Sequence, residues 1–283
     1  MEIFEEIEPL RAFLKGKREA LKSIGLVPTM GALHDGHLAL IRASKAENEV
    51  TVSSIYINPT QFNNQADLDK YPRTREADIK LLEAEGCDVL FAPQNAEMYS
   101  ENQSLTFDFG TLDKVLEGKF RPGHFSGVAL VVSKLFNIVQ PDMAYFGQKD
   151  YQQFQVINRL KEELKFSIQL RSVPIIREKS GLALSSRNQR LSEQDKGNAL
   201  FLYETLIEAK AQLLNGASFS KVRSEAEARV KKYEGVKLEY FELANKNTLQ
   251  ELGDTRNFKN GILLIAAFVN EVRLIDNMLL EVE

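Results

Sequence analysis

The stretch Ser23-Ile24-Gly25-Leu26-Val27-Pro28-Thr29-Met30-Gly31-Ala32-Leu33-His34-Asp35-Gly36-His37 decides how this chain folds. Ser23 to Thr29 is a short apolar run of the kind that forms a buried strand, and His37 to Asn48 has helical spacing. Between them lies a loop containing Gly31 and Gly36. Val50 to Asn58, rich in Val, Ile and Tyr, reads as the next strand, so the economical arrangement is a parallel βαβ crossover. That topology puts the glycine-containing loop at the carboxyl end of a strand.

Working outward, the alternation continues. Arg73 to Glu85 is helical in pattern, Val89 to Ala92 is a short strand before Pro93, and Phe125 to Val139 is an apolar helix. A strand near Ala144 to Phe146, a helix from Tyr151 to Lys165 and a strand from Ile168 to Ile176 continue the alternation expected of a parallel α/β sheet. Beyond Arg177 the pattern changes to amphipathic helices at Ser192 to Leu214 and Ser218 to Tyr233, then strands near Lys237 to Leu243 and Ile262 to Val269. A first domain over 1–176 and a smaller α+β domain over 177–283 are therefore expected.

Composition narrows the class. The chain has 283 residues, 43% of them hydrophobic, enough for sizeable cores. Its 36 basic and 40 acidic residues leave a charge of −4, which argues against a surface built chiefly for nucleic acid. The single cysteine, Cys87, makes no intrachain disulfide and reads as a small buried residue in a reducing compartment. The start Met1-Glu2-Ile3-Phe4-Glu5-Glu6 lacks a signal-peptide pattern, and no apolar run is long enough to span a bilayer, so a cytoplasmic protein is expected.

Of three histidines in the chain, two fall in His34-Asp35-Gly36-His37, where the strand feeds its helix. Helix starts present unpaired N–H groups and the positive end of the helix dipole, which favour phosphate. The same spacing also fits a capped helix with two partly exposed imidazoles, or a pair of zinc ligands lacking partners of recognisable spacing. Phe146-Gly147-Gln148-Lys149-Asp150-Tyr151-Gln152-Gln153 again follows a strand and opens a helix: Gly147 permits close backbone approach, Lys149 can meet phosphate, and Gln153 carries an amide suited to hydroxyl or carboxylate. Leu184-Ser185-Ser186-Arg187-Asn188 sets two hydroxyls beside a guanidinium, a phosphate clamp or an ordinary capped turn. Asn58-Pro59-Thr60-Gln61-Phe62-Asn63 ends the second strand with amides and a rigid proline. All four clusters fall at or just beyond predicted carboxyl ends of strands, where open parallel sheets bind ligands.

Together with Tyr71-Pro72-Arg73 and Arg121-Pro122-Gly123-His124-Phe125, this ordered set resembles the pantothenate synthetase family, the pantoate–β-alanine ligases. A lone H-x-G-H would indicate only the broader nucleotidylyltransferase superfamily. The resemblance implies a Rossmann-like ATP- and pantoate-binding domain, its parallel α/β sheet covered by helices on both faces, a smaller C-terminal α+β lid domain, a cytoplasmic homodimer, and small-molecule substrates with no nucleic acid or membrane partner. It implies two steps: (R)-pantoate and ATP give pantoyl adenylate and pyrophosphate, then β-alanine displaces AMP to give pantothenate. Catalytic roles fall to His34, His37, Lys149, Ser185, Ser186 and Arg187, with His37 as proton donor and His34 as phosphate contact. Met30, Gly31, Ala32, Leu33, His34, Asp35, Gly36, His37, Gly147, Gln148, Lys149 and Asp150 line the ATP site, joined by Ile176, Leu184, Ser185, Ser186 and Arg187. Gln61 and Gln153 hold pantoate, with Gln61 also near β-alanine, and Asp78 helps hold Mg2+. Leu184 replaces the methionine usual in the family, an apolar exchange of similar volume. A nucleotidylyltransferase that stops after transfer, and a non-catalytic nucleotide sensor, are the competing functions.

Overall fold

A computed structural model describes residues 1–99, 103–253, 258 and 260–280. The chain divides into two compact units, one of residues 1–148 with 152–174 and one of 149–151 with 175–283. Among the described residues no helix is long and apolar enough to cross a membrane.

The first unit is built on six parallel strands, β1 (Glu2–Phe4), β2 (Ile24–Thr29), β3 (Val50–Ile55), β4 (Val89–Phe91), β5 (Met143–Gly147) and β6 (Gln169–Val173). They lie in the order β1-β4-β3-β2-β5-β6. From β2 the chain builds towards one edge through β3 and β4, then returns to β2's other side with β5 and β6. The crevice outside the carboxyl ends of β2 and β5 is thus the topological switch point, where this architecture binds ligands.

Alternation along the strands explains why helices cover both faces. Leu26, Val89 and Phe91 point into one core with Leu10, Leu14 and the helix His124–Val139, while Val27, Leu90 and Tyr145 point into another with Ile41 and Leu82. The predicted βαβ unit at β2 and β3 is present, with the helix at Asp35–Glu47 and β3 ending at Ile55. Elements of this unit without a sequence signal include β1, too short for a period, the helix Ile7–Glu19, which shows only Leu10 and Leu14 as buried anchors, and the short helices Gln65–Asp69, Asn95–Met98 and Leu116–Phe120.

The second unit carries an antiparallel sheet, β7 (Val236–Asn245), β8 (Gly261–Val269) and β9 (Val272–Leu279), in that order. Phe201, Leu202, Leu206 and Leu213 of the helix Glu193–Leu214 share its core with Phe241, Leu243, Leu263 and Ile265. The sequence reading stopped at β8. Val272–Leu279 holds buried Asp276 and Asn277, polar residues that mask the strand pattern. Cys87 is 3% exposed at the foot of β4, and burial raises its thiol pKa to about 11.

Candidate active site

The loop Met30–His34 leaves β2 and is shaped by contacts the local sequence does not contain. Gly31 and Ala32 have φ of 78° and 50°, a left-handed bend that costs nothing at glycine and strains alanine. Thr29 Oγ1 donates to the Ser54 carbonyl at 2.6 Å and accepts from the Gly31 N–H at 3.2 Å. Beyond it, the Ala32 and Leu33 N–H groups donate to Asp78 Oδ2 and Oδ1 at 3.0 and 2.8 Å. Thr74 Oγ1 lies 3.2 and 3.1 Å from Asp78 Oδ1 and Oδ2, and Asp78 is 1% exposed.

His34 is the N-cap of the helix Asp35–Glu47, its Nδ1 accepting from the Gly36 N–H at 3.1 Å. The cap decides the tautomer: Nδ1 supplies a lone pair, so the neutral ring carries its proton on Nε2. One turn on, the His37 ring stands 4.1 Å from the His34 ring between centroids, tilted by 37°. The capped-helix reading and the phosphate-site reading of this motif are therefore compatible, since capping uses Nδ1 and fixes the ring proton on Nε2.

Gln61 closes the turn Pro59–Gln61 after β3 and is 8% exposed. Buried Asn58 sets its orientation. Tyr99 Oη and Thr60 Oγ1 donate to Asn58 Oδ1 at 2.8 and 3.0 Å, so Asn58 Nδ2 must face acceptors, and it donates to Gln61 Oε1 and the Gly127 carbonyl, each at 3.1 Å. With its oxygen so engaged, Gln61 offers its Nε2 hydrogens, one of them to Met30 Sδ at 3.0 Å. That contact joins the β2 loop to the β3 turn. His124 Nδ1, 2.7 Å from the Gln61 carbonyl, holds the turn's backbone. His124 was quoted in the sequence reading without a role; being the only histidine outside the H-x-G-H motif was the signal available.

A side chain at Gly127 would place its Cβ 2.3 Å from the Thr60 carbonyl oxygen, so this glycine lets the apolar helix His124–Val139 approach the turn. Burial of the Tyr99 hydroxyl raises its pKa, keeping it a donor.

Gly147 ends β5, and Gln148 opens the short 3-10 turn Gln148–Asp150. Of the neighbouring glutamines, Gln152 is structural: it is 2% exposed, accepts from the Glu117 N–H at 2.9 Å, and donates to the Leu112 and Val115 carbonyls at 2.8 and 2.9 Å. Gln153 is half-buried on the same helix.

The second unit holds the other candidates. Lys149 pairs with Asp150 at 3.6 Å, and Asn277 Nδ2 donates to the Lys149 carbonyl at 2.9 Å. Ile176 and Leu184 face each other across a narrow turn, the Leu184 N–H donating to the Ile176 carbonyl at 3.0 Å. Ser185 caps the 3-10 helix Ser186–Arg190, its Oγ accepting from the Arg187 N–H at 3.2 Å. Asn188 Nδ2 ties the turn to the Ala183 carbonyl at 3.0 Å. Beneath it, Arg177 makes a two-pronged ion pair with Asp276 at 2.6 and 2.8 Å, donates to the Gly181 carbonyl at 3.1 Å, and stacks over Tyr203 at 4.2 Å. Arg177 and Asp276 were not singled out from sequence, because an ion pair across 99 positions leaves no local pattern.

Asp78 was expected to help hold Mg2+. Both its oxygens already accept from backbone and hydroxyl donors in a buried setting, and among the described residues no group of three or more His, Cys, Asp or Glu gathers as a metal cage. The residue does not fit as a direct metal ligand.

A family model described as pantoate-beta-alanine ligase matches residues 2–279. The pantothenate synthetase of Cytophaga hutchinsonii is 46% identical over 275 residues, 97% of each chain, and that of Bacteroides thetaiotaomicron 45% over 278 residues, 98% of each. Among solved structures, pantothenate synthetase from Thermus thermophilus superposes with a TM-score of 0.93 at 38% identity, each chain covered in full. A Francisella tularensis pantoate-beta-alanine ligase, crystallised with beta-gamma ATP and beta-alanine, gives 0.81 at 35% identity, covering 100% of this chain and 99% of its own. A switch-point loop bearing paired histidines, an oriented glutamine beside it and a match running almost end to end all point one way: this chain belongs to the pantoate–β-alanine ligase family.

Proposed function

We propose that this chain forms pantothenate in two steps. The carboxylate of (R)-pantoate attacks the α-phosphorus of ATP, pyrophosphate leaves, and the amine of β-alanine then displaces AMP from the mixed anhydride. The observation that carries this reading is the Met30–Gln61 contact at 3.0 Å, which puts an amide donor for a polar acid beside the H-x-G-H loop.

Each role follows from what its residue has left to offer. Gln61 presents N–H groups, which suit the carboxylate and hydroxyl acceptors of pantoate, and Gln153 is assigned to the same substrate. His34 presents Nε2–H to phosphate while its Nδ1 caps the helix. His37 gives a proton to the departing pyrophosphate, on which negative charge grows in the transition state. Lys149, Ser185, Ser186 and Arg187 add charge and donors to that leaving group, where preorganised groups raise turnover more than they tighten ground-state binding. Gly36, Gly147 and Gln148 admit the nucleotide close to backbone, and Ile176 contributes backbone contact to adenine, with Leu184 in the same ATP site.

When bound, magnesium would screen the charge of the ATP phosphates. The segment 177–188 is assigned the exclusion of water from the acyl adenylate. The enzyme works in the cytoplasm as a homodimer.

The test is isotopic. Incubating the protein with ATP, magnesium, β-alanine and pantoate labelled with 18O in its carboxylate should give pantothenate and AMP carrying the label in its phosphate. ADP as product, or a stable nucleotidylated acid without amide formation, would reject the scheme.

A further inference from the structure

The histidine loop bends through two left-handed residues, Gly31 and Ala32, and turns the N–H groups of Ala32 and Leu33 towards one carboxylate. Such a backbone cradle ordinarily receives an anion from solution. In this chain it is filled from within, by Asp78, at 3.0 and 2.8 Å. The fit is close: a Cβ added at Gly31 would stand 3.0 Å from Asp78 Oδ2 and 3.1 Å from Ile55 Cγ2. Asp78 lies in the first turn of the helix Arg75–Ala84, where the helix dipole favours negative charge, and Thr74 Oγ1 donates to its carboxylate.

We infer that Asp78 is the internal anion that sets the H-x-G-H loop, a positioning residue acting through the Ala32 and Leu33 amides and not a ligand of magnesium. The consequence for catalysis, which rests on the pantoate-activating role of this site, is a division of the loop. Its Ala32 and Leu33 amides are engaged by Asp78, and contact with phosphate falls to the segment His34 to His37 that they precede. The bend also requires glycine at 31, because the carboxylate occupies the space a side chain would need.

Asp78→Asn keeps the shape but turns an amide N–H2 against one of the two backbone donors. Hydrogen exchange, measured with neither nucleotide nor metal present, should then quicken at Ala32 and Leu33 by roughly 100-fold while amides in the middle of β2 keep their protection. Turnover should fall by about 100-fold through misplacement of the histidines, with a smaller rise in KM for ATP. The magnesium concentration for half-maximal activity should stay within about twofold of the parent's. Gly31→Ala, which leaves Asp78 in place, should reproduce the exchange and turnover effects, and the double variant should be little worse than either single one. Thr74→Val should give a milder form, and with Gly31→Ala it carries the test if Asp78→Asn does not fold. Unchanged exchange at Ala32 and Leu33 would overturn the inference. So would a tenfold or greater rise in half-activating magnesium that excess metal rescues, the mark of a ligand. The exchange arm needs no catalysis, so failure of this inference and failure of the pantothenate reaction are told apart.

Discussion

Two loops carry most of the assigned chemistry, and they are held in opposite ways. Both begin with a side-chain cap at the same spacing, His34 accepting from Gly36 and Ser185 from Arg187. The histidine loop is then braced at the loop itself, through backbone hydrogen bonds to a carboxylate 45 and 46 positions away. The serine turn is closed by its neighbours, with Asn188 reaching back to Ala183, and the ion pair of Arg177 with Asp276 anchors its base. The difference teaches that the histidine loop takes its shape from a helix distant in sequence, while the serine turn takes its shape from residues close to it along the chain.

The largest effect should come from the histidine loop. His37→Ala is expected to lower turnover by about 1000-fold while ATP affinity changes only a few-fold, measured by AMP release and by nucleotide titration. An equal loss in both quantities would assign His37 to binding and remove the contrast between the loops.

Breaking the anchor should act on stability. Arg177→Leu leaves the Asp276 carboxylate, only 2% exposed, without its guanidinium, and unfolding of the second unit should become easier by about 3 kcal/mol in denaturant titrations. Replacing both partners with apolar residues should recover much of that loss. If the single variant is as stable as the parent, the serine turn has another root.

The burial of Cys87 at the foot of β4 should show in alkali. The Cys87 thiol keeps its proton in the native state up to about 11, against 9.0 as the ordinary value, so the native state binds more protons than the unfolded chain in that window. Stability should therefore fall as pH rises from 9.0 towards 11, by roughly 2 kcal/mol, and Cys87→Ala should remove that slope. Rapid alkylation of native Cys87 near neutral pH would contradict so buried a thiol.

The smallest effect sharpens the comparison within the first unit. Gly127→Ala should push the Gln61 turn away from its helix and raise KM for pantoate about tenfold, with ATP affinity unchanged. If KM for ATP rises equally, the turn and the histidine loop form a single element and are not two joined by the Met30–Gln61 contact.

Much of this arrangement was legible beforehand. The period of the apolar residues gave the order of strands and helices from β2 to β6, because buried parallel strands and amphipathic helices write their faces into neighbouring residues. Glycines and polar clusters marked the loops that end β2, β3 and β5. The short β1 carried too few residues to show a period, and in β9 the buried polar pair Asp276 and Asn277 broke it.

By itself, the sequence determined the alternating α/β architecture, the smaller α+β unit after it, and which side chains gather at strand ends, since those properties rest on neighbours along the chain. Tertiary structure alone decided that Asp78 fills the histidine loop, that Asn58 turns the amide of Gln61 outward, and that Arg177 finds Asp276. Each joins groups whose meeting depends on how helices and strands pack, and a buried polar group gains its hydrogen bonds only when that packing supplies a partner.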